Sequence, residues 1–140
     1  MLEILAIDHI VLRTRKREEM LAFYTNILSC TIERETSPEI GLTQLRAGSA
    51  LIDLVAVDSS LGTIGGGPPT KTERNMDHFC LQIRSVPEQE IITFLKNNGI
   101  KVGKFESRYG AEGQGNSIYI QDPEGNGVEL RCRIQAGQNR

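Results

Sequence analysis

Polar and apolar residues fall into two periods along this chain, and each arrangement occurs twice. Ile7-Asp8-His9-Ile10-Val11-Leu12 and Met76-Asp77-His78-Phe79-Cys80-Leu81 both place an Asp-His pair at the head of an apolar run, 69 residues apart. Such runs read as strands, and each is followed by a short charged turn and a stretch of helical period. Met20, Phe23, Tyr24, Ile27 and Leu28 recur at the spacing that buries one stripe of a helix. In the second half Pro87 suits a first helical turn, Ile91, Ile92 and Leu95 mark an apolar face, and Asn98-Gly99 is a stop signal. Further strands are predicted over 31–35, 42–47 and 50–57, and over 100–105, 117–121 and 127–133. Ala47-Gly48-Ser49 and Asp122-Pro123-Glu124-Gly125-Asn126 sit between strand-like runs as hairpin connections would.

The pattern is therefore one βαβββ module written twice. Module one covers about 5–58 and module two about 75–134, joined by a linker over about 59–74 that contains Gly65-Gly66-Gly67-Pro68-Pro69. These glycines lack the spacing of a phosphate loop and no strand leads into them. At 140 residues the two modules are expected to share one core as a single domain spanning 1–140, with the α+β fold of two curved mixed sheets around a barrel-like cavity.

Strand alternation separates two faces. Phe79, Leu81 and Ile83 oppose His78, Cys80 and Gln82; Ile10 and Leu12 oppose His9, Val11 and Arg13. The apolar faces would cover the helices, leaving the histidine faces to line the cavity. The last strand of each module carries an acid, Asp53 and Glu129, which needs a cation, a metal or water if it is buried. A strand histidine alone is usually a satisfied core residue, and Glu129 alone could be a salt-bridged carboxylate. The repetition changes that balance: two imidazoles and two carboxylates suit a divalent ion such as Zn²⁺, Ni²⁺, Fe²⁺ or Mn²⁺. Arg13 could anchor an anionic substrate group, or be a solvated strand-end cation.

Composition narrows the classes. With 39% hydrophobic and 24% charged residues and no run approaching a membrane span, the chain reads as a globular protein with no membrane partner, expected in the cytosol. A net charge of −2 and the absence of a basic run argue against nucleic acid. Cys30, Cys80 and Cys132 are odd in number and widely spaced, and read as buried or half-buried free thiols.

DHIVLRT, AFYTNIL, DHFCLQI and SIYIQDPEGNGVEL together resemble the glyoxalase/bleomycin resistance protein/dioxygenase group, or vicinal oxygen chelate superfamily, over residues 8 to about 133. The resemblance implies a divalent metal held by His9, Asp53, His78 and Glu129, and favours a homodimer. Members of the glyoxalase I kind chelate a hemithioacetal on the metal, and the position matching Glu129 moves a proton through an enediolate. The expected function is then a metal-dependent lyase or isomerase of a small carbonyl or thiol-adduct substrate. The alternatives are a metal-free binding or resistance protein, thiol transfer to an epoxide antibiotic, and an extradiol-type dioxygenase, for which no histidine would remain as the acid–base group. Many relatives carry Glu where this chain has Asp53, which puts a fourth direct ligand in question and leaves a 2-His-1-carboxylate set as the other arrangement.

Overall fold

A computed structural model describes residues 1–134. Residues 135–140 of the expected single domain lie outside the described residues. The chain divides into two compact units, Met1–Asn75 and Met76–Arg140.

The first unit runs β1 (His9–Thr14), α1 (Arg17–Ala22), β2 (Thr31–Glu35), β3 (Leu42–Ala47) and β4 (Ala50–Ala56). Its sheet has the order β1-β4-β3-β2, with β1 parallel to β4 and the hairpin neighbours antiparallel. Leu12, Met20, Tyr24, Leu45, Ile52 and Leu54 are at most 2% exposed and form its core. The predicted first helix is present but changes pitch: α1 ends at Ala22 and a π turn carries Phe23–Ile27. The Thr25 hydroxyl donates to Leu21 O at 2.7 Å, a side-chain bond that competes with the backbone ladder. The widened turn keeps Phe23 and Tyr24 both buried, with their rings edge to face at 5.1 Å.

The second unit runs β5 (His78–Ile83), α2 (Glu88–Asn97), β6 (Glu106–Gly110), β7 (Gly113–Gln121) and β8 (Gly127–Cys132). Its order, β5-β8-β7-β6, repeats the first, again with one parallel pair, β5 with β8. Pro87 precedes α2, Ile91 and Leu95 are its buried positions, and Gly99 at φ +74° follows the stop as expected. Ile118, Ile120, Val128 and Leu130 supply the inner face of the sheet.

Two corrections follow. The strand expected over 100–105 is absent; β6 lies at Glu106–Gly110, and β7 begins at Gly113 rather than Ser117. Its residues Glu-Ser-Arg-Tyr-Gly show no buried stripe, because β6 is an edge strand whose only neighbour is β7. The two four-stranded mixed sheets are those expected of the tandem modules; each is open, with β1 and β2 as the edges of the first and β5 and β6 of the second.

The DPEGN turn explains its own sequence. Asp122 Oδ1 accepts from the backbone N–H groups of Glu124 and Asn126, Oδ2 accepts from Asn126 Nδ2, and Gly125 takes φ +92°. This fixes where β8, and with it Glu129, begins.

Candidate functional site

In the second unit the register sets His78 opposite Gly127, and Cys80 opposite Glu129, with Glu129 opposite Tyr119 on the other side. His78, Cys80, Glu129, Tyr119 and, one step on, Ser117 and Arg131 therefore share one face of the sheet. Gly127 is required by the crowding there: a Cβ would stand 2.9 Å from His78 Cβ and 3.0 Å from Asp77 O.

Glu129 is the centre of this face. It is buried, and its Oε1 lies 3.3 Å from His78 Nε2. Burial pushes its carboxyl up, but hydrogen bonds from Ser117 and Tyr119 and the charges of His78 and Arg108 outweigh this, holding it below the usual carboxylate range. Tyr119 places its hydroxyl 3.4 Å from His78 Nε2 and its ring edge to face with the imidazole at 5.2 Å. Burial first, then Glu129, raises its phenol pKa. Arg108 stacks over the Tyr119 ring at 4.6 Å and donates to Ser117 O and Oγ. Cys80, exposed rather than buried or half-buried as expected, has its thiol pushed up to about 11 by desolvation and then by Glu129. It stays protonated at neutral pH and is a poor nucleophile.

In the first unit the sheet face of His9 also carries Val11 and Asp53, which pair in register. Asp53 is 3% exposed; Gln44 Nε2 donates to its Oδ2 at 3.1 Å, and its Oδ1 is buried with no hydrogen-bond partner. The His9 imidazole pKa is raised, first by the hydrogen bond to Asp8, against desolvation, and then by the charges of Asp53 and Asp8. Each unit thus supplies one histidine and one carboxylate on one sheet face. Among the described residues no group of three or more His, Cys, Asp or Glu side chains is gathered as a metal cluster.

The spacing of the His78–Glu129 pair fits a divalent ion. Two ligands each about 2.0–2.1 Å from a tetrahedral ion stand about 3.3 Å apart, the separation of His78 Nε2 and Glu129 Oε1. Asp53 Oδ1 is a buried carboxylate oxygen that lacks a partner, the situation a cation would relieve. In both units the preceding aspartate takes the other ring nitrogen: His9 Nδ1 lies 2.7 Å from Asp8 Oδ1, and His78 Nδ1 lies 2.5 Å from Asp77 Oδ2. A carboxylate on Nδ1 leaves Nε2 as the ligating nitrogen of a neutral imidazole.

Arg13 has other work in the structure. Its guanidinium donates to the carbonyls of Gly62, Gly66 and Gly67 at 3.0, 2.7 and 3.0 Å, and its Nε is buried. A Cβ on Gly65 would come within 2.4 Å of Nε, and Gly66 takes φ +83°. The glycine-rich linker is therefore shaped to close over Arg13.

Ser117, Tyr119 and Arg108 were missed in the sequence. Ser117, Tyr119 and Gln121 alternate with Ile118 and Ile120, a period-two signal that could have placed the first two on the Glu129 face. Arg108 gave no signal, because its strand carries no apolar alternation.

Solved structures share this architecture. An integron cassette protein from V. cholerae superposes with a TM-score of 0.76 at 21% identity, covering 96% of this chain and 99% of that one. Lactoylglutathione lyase from Agrobacterium tumefaciens gives 0.67 at 21% identity, with 95% and 97% covered. A fosfomycin resistance protein from Listeria monocytogenes, solved with Mn(II) and a dihydroxypropylphosphonic acid, gives 0.67 at 21% identity, with 92% and 90% covered. At these identities the likeness is one of fold. No curated protein gives a significant match to the chain. A family model, however, matches residues 6–130, nearly the whole chain, and the protein belongs to the Glyoxalase/Bleomycin resistance protein/Dioxygenase superfamily.

Proposed function

We propose that the protein is a metal-dependent lyase or isomerase of the glyoxalase kind, acting on a small carbonyl compound or its thiol adduct. The observation that carries this reading is the His78–Glu129 pair, set at ligand-to-ligand spacing, with Glu129 held ionised in a buried position. The ligands in this reading are His9, Asp53, His78 and Glu129. A divalent ion bound by them would supply Lewis-acid polarisation of the substrate oxygens.

The protein's own residues do the rest. Glu129 takes a proton from the carbon beside the carbonyl and returns it to the adjacent carbon. Ser117 and Tyr119 hold its carboxylate in one orientation, and Tyr119 keeps the ring of His78 from turning. Asp8 and Asp77 fix which imidazole nitrogens face the substrate side. Arg108 stands next to Glu129 as a cation for developing negative charge, whereas Arg13 holds the linker.

The first test is metal content after purification without chelator. Stoichiometric metal, or recovery of it on adding Ni²⁺, Zn²⁺ or Mn²⁺, is expected; less than about 0.1 ion per chain with no recovery would overturn the proposal, since a site with several protein ligands should fill. The second is turnover of methylglyoxal mixed with glutathione or another thiol, then of small 2-oxo acids. Stable binding of such compounds without turnover and without metal would point to a sequestering protein.

The Asp-His pairs give a sharper check. Asp77→Asn is expected to lower metal affinity about 10- to 100-fold. Nitrogen-15 NMR of the metal-free variant should show His78 losing its preference for the Nδ1–H tautomer. An unchanged tautomer and unchanged affinity would remove Asp77 from the site.

A further inference from the structure

Among the described residues Arg131 is the one buried cation, at 5% exposed. It stands in β8 between Gln82 of β5 and Ser117 of β7, one strand step beyond Glu129 on the same face. Its guanidinium donates to two carbonyls, Gly113 O at 2.9 Å and Arg108 O at 3.5 Å, and among the described residues it meets no carboxylate. Two acids of the same region are engaged elsewhere. Glu106 faces Arg108 at 3.2 Å, and Glu112 accepts from Gln82 Nε2 at 2.7 Å and from Ile134 N at 3.1 Å. Glu129 is held by Ser117, Tyr119, His78 and Arg108. Taking a guanidinium out of water without a counter-charge is costly, yet the β6–β7 hairpin is shaped around it. A Cβ on Gly110 would fall 2.2 Å from Arg131 Nη1, and one on Gly115 would fall 2.8 Å from Nη2.

We infer that Arg131 anchors the carboxylate of the substrate, so that the compound handled on this face is a small oxo acid rather than a neutral carbonyl. The inference rests on the proposed function for the reaction, and on Arg131 for the charge. One positive charge without a partner balances one negative charge. A phosphoryl group, close to dianionic, calls for a second free cation, and Arg108 is already paired with Glu106. The guanidinium fork matches a planar carboxylate, and of its five N–H donors the chain uses two. The charge of Arg131 reaches the site, where it opposes the burial that raises the Cys80 thiol. Two residues of strand span about 6.6–6.8 Å, so the carboxylate lies at the far end of a short chain from the carbon that faces Glu129. Arg13, the cation expected for this task, is closed under the linker glycines instead.

A ligand-detected NMR titration of the protein as purified tests it, with 4-oxopentanoate against its methyl ester, which has the same carbonyl and no charge. The acid is expected to bind about 10- to 100-fold more tightly, the worth of a charged hydrogen-bonded pair. Arg131→Met should remove that preference and leave the affinity for the ester unchanged, while Arg131→Lys should keep part of it. Lys96→Met, which removes an exposed charge of α2, should leave it whole. Equal binding of acid and ester by the parent, or binding of neither, would overturn the inference, and that measurement needs no variant. So would a preference that survives in an Arg131→Met protein with the parent's far-UV circular dichroism. Equal weakening of both ligands in that variant would also overturn it, by making Arg131 only a brace of the β6–β7 hairpin. None of these readings depends on turnover. A chain that binds no metal and transforms nothing, yet shows the Arg131-dependent preference, would overturn the proposed reaction and leave the anchor; turnover of neutral adducts with no preference for the acid would do the reverse.

Discussion

Replacing Glu129 with Gln is expected to lower kcat on the thiol adduct of a small 2-oxoaldehyde by roughly 10²- to 10⁴-fold, with metal affinity falling by no more than about tenfold. Glutamine keeps the shape of the side chain and one oxygen that can ligate, and it still accepts the Ser117 hydrogen bond. It cannot take up a proton from carbon. Binding and proton transfer are therefore separable at this position, and equal losses of metal and turnover would reduce Glu129 to a ligand. His78→Ala is the matched control, expected to lose both together. The same carboxylate predicts a pH effect. Burial raises its pKa, and Ser117 and Tyr119 are the largest of the influences that lower it. Removing them, as Ser117→Ala or Tyr119→Phe, should move the acid limb of the kcat/KM profile to higher pH. The sign for stability agrees: a carboxyl depressed in the folded state stabilises it above the unfolded pKa, and that contribution is lost as pH falls through the folded value. In the Ser117 and Tyr119 variants it should be smaller.

What the sequence made legible follows from where burial leaves a pattern. The two Asp-His strands, read from 7–12 and 76–81 and found at His9–Thr14 and His78–Ile83, were legible because each has one apolar face, so that Leu12 or Leu81 and its neighbours announce the side that turns inward. The β3–β4 hairpin was equally plain, with Gly48 at φ +60° in its two-residue turn. β6 failed for the opposite reason. An edge strand in contact only with β7 buries no stripe, and its residues and the Ala111-Glu112 turn look like loop. Ile100–Phe105, more apolar, attracted the strand assignment instead. At the site, the His and acid of each unit could be found because they recur. The side chains that tune them do not recur in the same form: Glu129 is held by Ser117 and Tyr119, Asp53 by Gln44 alone. Opposite the histidines stand Gly127 in one unit and Leu51 in the other. The duplication repeated one histidine and one acid at matching strand positions, and divergence between the copies gave the acid of the second unit the more polar surroundings.

A large loss of stability from a single methyl group is expected at Gly41. Its φ of +77° already disfavours any side chain, and a Cβ there would fall 2.1 Å from Ser59 Cβ and 2.3 Å from Ser59 Oγ. Ser59 cannot swing aside cheaply: it is buried, its hydroxyl donates to Ala56 O at 2.6 Å, and the same oxygen accepts from Gly62 N at 3.0 Å. Gly62 in turn lies so close to Ala56 O that a Cβ would stand 1.9 Å from it. The end of β4 and the start of the linker are thus locked by contacts that leave no room. Gly41→Ala is expected to cost about 1–2 kcal/mol for the left-handed backbone and a further ~1–3 kcal/mol for overpacking, read as a lower midpoint in urea unfolding. Gly48 is the internal control, since its φ is +60° and nothing lies within 4 Å of a Cβ. Gly48→Ala should show only the backbone part. Adding Ser59→Gly to Gly41→Ala should recover much of the overpacking cost, as a coupling of at least about 1 kcal/mol in the double-mutant cycle. Equal losses at positions 41 and 48, with no coupling to Ser59, would mean that this corner relaxes freely and that β4 is not pinned to the linker there.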